Sequence, residues 1–96
     1  AEAVAASMDL GLRLWLATAA DESLARAFLA RWFDGQFSGL THGGEVDRGK
    51  PEPDIYLRAL EASGAAPESV IVVEDSVHGV AAAQAAGLRV ASVGPS

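Results

Sequence analysis

Four apolar residues, Val70-Ile71-Val72-Val73, run directly into Glu74-Asp75, followed by Ser76 and then Gly79. Upstream stands Gly49-Lys50-Pro51-Glu52-Pro53-Asp54. A buried strand that delivers paired carboxylates, with one lysine placed to lie beside them, suits a divalent metal and a phosphoryl group. Mg²⁺ takes one or two hard protein carboxylates, keeps several waters and completes its shell with substrate phosphate. A lysine point charge balances phosphoryl oxygens, and a threonine hydroxyl with neighbouring backbone N–H groups can hydrogen-bond them. Thr18, which closes the apolar run from Leu12 to Ala17, is the threonine for that role.

Each residue also has an ordinary reading. Paired acids after a strand often do no more than cap the next helix and complement its dipole. A lone lysine is usually solvated, and a lone threonine is more often a cap than a ligand. His42 and His78 lack a second ligand at metal spacing, which favours loop or surface roles, and Trp15 and Trp32 read as core. Only the combination of Thr18, Lys50, Glu74 and Asp75 points to chemistry.

Positioning these groups requires strands that alternate with helices. Leu12 to Ala17 reads as a buried strand and Glu22 to Trp32 as a helix capped by Asp21, with Leu24, Phe28, Leu29 and Trp32 at helical spacing. Gln36 to Thr41 is a weaker strand, and Gly43-Gly44 opens a loop reaching Pro51. Pro53 suits a first helical turn, and Ile55, Leu57, Leu60 and Ala62 carry the pattern to Gly64. Val70 to Val73 is a strand, Ser76 or Asp75 can cap a helix ending at Ala86-Gly87, and Leu88 to Val93 is a last strand. An Ala-rich helix over Ala1 to Asp9, stopped by Gly11, precedes all of these. The pattern predicts an α/β fold with a parallel sheet and helices on both faces, whose ligands gather at the carboxyl ends of the strands.

Composition narrows the possibilities. The chain has 96 residues, half of them hydrophobic, with a mean hydropathy of +0.21, so it is at most one packed domain. A net charge of -6 and no Lys/Arg cluster make nucleic acid and anionic membranes poor partners. The absence of cysteine excludes thiol catalysis and disulfides. No apolar stretch approaches a spanning helix and the start lacks a signal-peptide pattern, so a cytoplasmic location is expected. With Met8 already inside a helical pattern, Ala1 looks like a fragment boundary. Gly44 to Lys50 matches the G-x-x-x-x-G-K spacing of a phosphate loop, but Pro51 stands where Ser or Thr is needed and two acids occupy the loop interior.

Gly49-Lys50-Pro51-x-Pro53-Asp54-Ile55-Tyr56, followed by Val70 to Ser76 and Gly79, resembles the haloacid dehalogenase-like (HAD) hydrolase superfamily. The likeness is strongest to the branch with phosphoglycolate phosphatases and β-phosphoglucomutases. Leu14-Trp15-Leu16-Ala17-Thr18-Ala19 is similar to the family's second motif, whose Ser/Thr and following N–H bind the phosphoryl group, which implies Thr18 and Ala19. Lys50 falls on the third motif, the lysine that stabilises charge on nucleophile and phosphoryl oxygens. Glu74 and Asp75 fall on the fourth, the Mg²⁺ carboxylates, with Asp75 expected as the more direct ligand. The resemblance implies that residues 1–96 are the C-terminal portion of a single HAD-like core domain. It further implies an Mg²⁺-dependent phosphatase or phosphomutase-like hydrolase of a small phosphorylated metabolite.

In that family an aspartate of a D-x-D motif forms an aspartyl-phosphate, and the second Asp is the acid/base. The 96 residues contain no D-x-D, so the isolated chain is expected to be inactive. The resemblance also implies a partial Rossmann-like sheet lacking the first, central strand, which in the family lies between the strands ending at Thr18 and Asp75, and lacking the substrate-selecting cap. The two uncovered inner edges would favour an oligomer or a partner strand. A non-catalytic remnant that binds a partner or phosphate is the alternative. A receiver-like phospho-acceptor domain is a third reading, against which the order of lysine and acids is reversed.

Overall fold

A computed structural model describes residues 13–32, 35 and 37–93. Four strands and three helices alternate: β1 (Trp15–Ala17), α1 (Glu22–Trp32), β2 (Gly39–Thr41), α2 (Asp54–Ser63), β3 (Ile71–Glu74), α3 (Val77–Ala85) and β4 (Arg89–Ser92). Short 3₁₀ turns cover Gly43–Glu45 and Pro67–Ser69. The expected helix over Ala1 to Asp9 lies outside the described residues.

The chain is a partial parallel α/β fold. Among the described residues β1 pairs in parallel with β2, in register Trp15 to Gly39 through Ala17 to Thr41. Likewise β3 pairs in parallel with β4, Ile71 opposite Arg89 and Glu74 opposite Ser92. The two pairs do not hydrogen-bond to one another. Between them lies a cleft of about 390 Å³. Trp15, Leu16 and Ala17 line it from one pair, Val72, Val73 and Glu74 from the other, and Tyr56 and Leu60 of α2 close it. The gap expected at the centre of the sheet is therefore present in the described residues.

One apolar cluster ties the pieces together: Ile55 and Tyr56 of α2, Val72 of β3, Ala82 and Ala83 of α3, and Leu88, with Ala17 of β1 packed against it. The helices start and stop as their sequences dictate. Asp21 Oδ1 accepts from Leu24 N at 2.9 Å, Ser76 Oγ accepts from Gly79 N at 3.0 Å, and Gly64 takes the left-handed φ of 71° that ends α2.

The inward faces differ in part from the expected ones. In α2 the stripe is Ile55, Tyr56, Ala59 and Leu60, whereas Leu57 and Ala62 face outward. At 100° per residue, positions 55, 56, 59 and 60 share one face, and 57 lies across the helix from 55. In α1 Ala25 is the buried residue and Leu24 is exposed, with Phe28 and Leu29 half-buried. Trp15 is half-buried and packs its ring across Gly39, where an added Cβ would meet ring atoms at 2.3 Å.

Candidate active site

The site begins with strand alternation. Because Glu74 is the last residue of β3, it shares a face with Val72, and both are buried while Ile71 is exposed. The carboxylate enters the core, only 6% exposed. Asp75, one residue on and past the strand, is exposed. Two adjacent acids thus reach opposite environments.

A buried carboxylate must be fully partnered. Glu74 Oε2 accepts from Lys50 Nζ at 2.9 Å and from the Tyr56 hydroxyl at 2.5 Å. Glu74 Oε1 accepts from Asp75 N at 3.1 Å and from Ser76 Oγ at 3.3 Å. Four donors match the four lone-pair sites of a carboxylate. They come from the loop before α2, from α2 itself and from the start of α3. Burial pushes the Glu74 carboxyl up, but the Tyr56 and Lys50 bonds and the Asp75 N–H together outweigh it and hold the group below the ordinary value of 4.5. Gly79 makes this packing possible, since a Cβ there would stand 2.0 Å from Glu74 Cδ.

Lys50 is led to Glu74 by a tethered loop. Arg48 forks onto Asp54 at 2.8 and 3.2 Å and reaches Glu52 at 3.2 Å, which fixes the loop to the first turn of α2. The Lys50–Pro51 peptide is cis. The Lys50 side chain is 15% exposed, and its ammonium lies 5.5 Å from the centroid of the Tyr56 ring, within cation–π range.

Thr18 and Ala19 occupy the end of β1. Thr18 is 2% exposed; its N–H donates to Thr41 O at 3.0 Å and its Oγ1 accepts from Ala20 N at 3.1 Å. That hydroxyl turn orders the loop in which Ala19 is exposed. Gly43 N donates to Ala20 O at 2.9 Å, and a Cβ at Gly43 would meet Ala19 O at 2.2 Å, so the loops after β1 and β2 are stitched backbone to backbone. Lys50 and Glu74 therefore meet, with Asp75 joined to them through its backbone N–H, and Thr18 with Ala19 forms a second, neutral group. His42 closes the 3₁₀ turn through Nδ1, which accepts from Gly44 N at 3.2 Å, and His78 is exposed.

Two contributors had no role assigned from the sequence. Tyr56 carries a hydroxyl to Glu74, and Gly79 leaves room for that carboxylate. The signal for Gly79 was its place three residues past Ser76, in the first turn of α3. For Tyr56 it was an aromatic with a polar tip beside Ile55 on the buried side of α2.

As to metal, among the described residues no three His, Asp or Glu groups stand together as a complete cage. An exposed Asp75 carboxylate still fits Mg²⁺, which needs only one or two protein carboxylates alongside phosphate and water.

Parallel strands, helices between them and polar residues gathered where strands end define the class: a parallel α/β protein with its site at strand termini. A family profile for haloacid dehalogenase-like hydrolases matches residues 1–87, and the chain belongs to that family. It is 40% identical to protein CbbY of Rhodobacter capsulatus over 94 residues, covering 94% of this chain and 41% of that protein. It is 44% identical over 68 residues to the phosphorylated carbohydrates phosphatase of Thermotoga maritima, covering 71% of this chain and 30% of that one. Among solved structures it superposes on a candidate β-phosphoglucomutase from Thermotoga maritima with a TM-score of 0.85 and 38% identity, over 93% of this chain and 42% of the other. The chain thus spans about two fifths of the length of CbbY and of that solved structure.

Proposed function

We propose that these residues are the C-terminal part of an Mg²⁺-dependent phosphoryl-transfer hydrolase, a phosphatase or phosphomutase-like enzyme acting on a small phosphorylated metabolite. A phosphorylated carbohydrate is the substrate class that the named relatives favour. A cytoplasmic setting goes with that reading; among the described residues no helix is long and apolar enough to cross a membrane. The observation that carries the proposal is a Lys50 ammonium held on buried Glu74, with exposed Asp75 beside it at the end of β3.

In this reading Lys50 is catalytic and neutralises charge on the phosphoryl oxygens, while Thr18 and the Ala19 N–H bind phosphoryl. Asp75 is the direct Mg²⁺ ligand, and Glu74 belongs to the metal site from behind, because its own lone pairs are shared among four donors. When bound, Mg²⁺ would supply charge neutralisation at the phosphate. The nucleophile is expected from a D-x-D segment outside these 96 residues.

The purified 96-residue chain should not hydrolyse p-nitrophenyl phosphate with Mg²⁺; measurable turnover would overturn the assignment of the nucleophile. In an intact protein carrying D-x-D, Lys50→Ala should lower kcat by about 10²–10³-fold. The second reading is a non-catalytic module that binds a partner or phosphate through these loops. It would stand if the intact protein bound phosphate without turnover.

A further inference from the structure

We propose that Tyr56 is a positioning residue: its hydroxyl, by donating to the same Glu74 oxygen that receives Lys50, fixes where the Lys50 ammonium stands. The inference rests on the reading that Lys50 meets a phosphoryl group.

A lysine on a four-carbon stem is a poor fixed charge, because holding it in one place opposes considerable rotamer freedom. A carboxylate alone does not solve this, since it can turn and offer either oxygen. Here Oε1 is committed to the start of α3 through Asp75 N and Ser76 Oγ. The remaining oxygen carries both the Tyr56 hydroxyl and the Lys50 ammonium. Tyr56 cannot follow a wandering carboxylate, because its ring is built into the cluster of Ile55, Val72, Ala82, Ala83 and Leu88. The hydroxyl therefore refers the Lys50–Glu74 pair to the core of the molecule. The ring adds a second constraint from its face, 5.5 Å from Nζ. Tyr56→Phe keeps that face and the packing of the ring, and removes the hydroxyl that donates to Glu74.

Two readouts in the intact protein separate this role from packing. The first needs no turnover. Tyr56 is the sole tyrosine of this sequence, so in a protein with tyrosine labelled at this position NMR should show a downfield, slowly exchanging hydroxyl proton. Lys50 should give an ammonium resonance whose exchange with water quickens about tenfold in Tyr56→Phe, the loss of one charge-assisted hydrogen bond. A rapidly exchanging Tyr56 hydroxyl in the unmodified protein, or unaltered Lys50 exchange in a folded variant, would overturn the proposal. The second readout is kinetic. Tyr56→Phe should lower kcat about tenfold with KM within about twofold, and should lower it no further in a Lys50→Ala background. Independent, multiplying losses would overturn the proposal. A protein that shows the NMR signatures and no phosphatase activity would retain Tyr56 as the residue that places Lys50 and discard the proposed reaction.

Discussion

At the ends of β1 and β2 the buried polar groups are neutral; at the end of β3 the buried group is charged. Thr18 and Thr41 are bonded within one strand pair and its loops: Thr18 N to Thr41 O, Ala20 N to Thr18 Oγ1, and Trp15 Nε1 to Thr41 Oγ1 at 3.0 Å. Glu74 instead draws donors from three separate places in the chain. Burying a charge is tolerable only with complete partnering, so the β3 end is assembled only when loop, α2 and α3 all arrive. One half presents neutral groups bonded within a single strand pair, and the other a charged group that gathers donors from a loop, from α2 and from the start of α3.

The most direct way to break that contrast is to remove the charge at its centre. Glu74→Ala leaves the Lys50 ammonium and the Tyr56 hydroxyl without their acceptor, which should cost about 3–5 kcal/mol in urea unfolding. A loss below about 1 kcal/mol would mean that the pair is solvated and that the two strand ends are alike. Gly79→Ala attacks the same place sterically. With its Cβ only 2.0 Å from Glu74 Cδ, α3 or the carboxylate must move, and a loss of about 1–3 kcal/mol is expected. A thermal midpoint unchanged by that substitution would show that Glu74 has room to withdraw.

Thr41→Val tests the neutral half. It is close to isosteric and removes the acceptor of Trp15 Nε1, so about 1–3 kcal/mol should be lost. The expected order, Glu74→Ala above Thr41→Val, is the comparison in measurable form, and its reversal would refute it.

These differences also explain what the sequence could and could not reveal. Alternating strands and helices, the Asp21 and Ser76 caps and the Gly64 stop were legible because each is a local rule written in a few residues. The parallel fold followed from the same alternation, and its open centre from the resemblance. The opposite fates of Glu74 and Asp75 were not legible, since they turn on one residue of strand length. Val70 to Val73 reads as the strand, but the ladder runs from Ile71 to Glu74, and period-two alternation then sends Glu74 inward and leaves Asp75 outside. The Tyr56 hydroxyl was hidden for a related reason. Its partner lies eighteen residues away, and only the packing of α2 against β3 brings them together.

Acid should separate the two halves most finely. Each region holds one carboxyl below the ordinary 4.5: Glu74, as described, and Glu45 of the 3₁₀ turn after β2. For Glu45 the main cause is the His42 N–H, which donates to Oε2 at 2.8 Å; burial opposes it, and Arg58 at 3.1 Å adds to the lowering. A carboxyl whose folded value is depressed contributes stability that is fully present above the unfolded value. That contribution is lost as pH falls through the folded one. Stability should therefore decline as pH drops below about 4.5, when both groups are forced to take protons. Glu45→Gln should flatten that decline only slightly, since Arg58, the cation it gives up, is 40% exposed and screened. Glu74→Gln, already less stable at neutral pH, should flatten it more, because the ammonium it abandons is only 15% exposed. Urea titrations from pH 6 to pH 3 on the two variants measure both slopes. Equal flattening would erase the distinction between a carboxylate that caps a turn and one that anchors a largely enclosed cation.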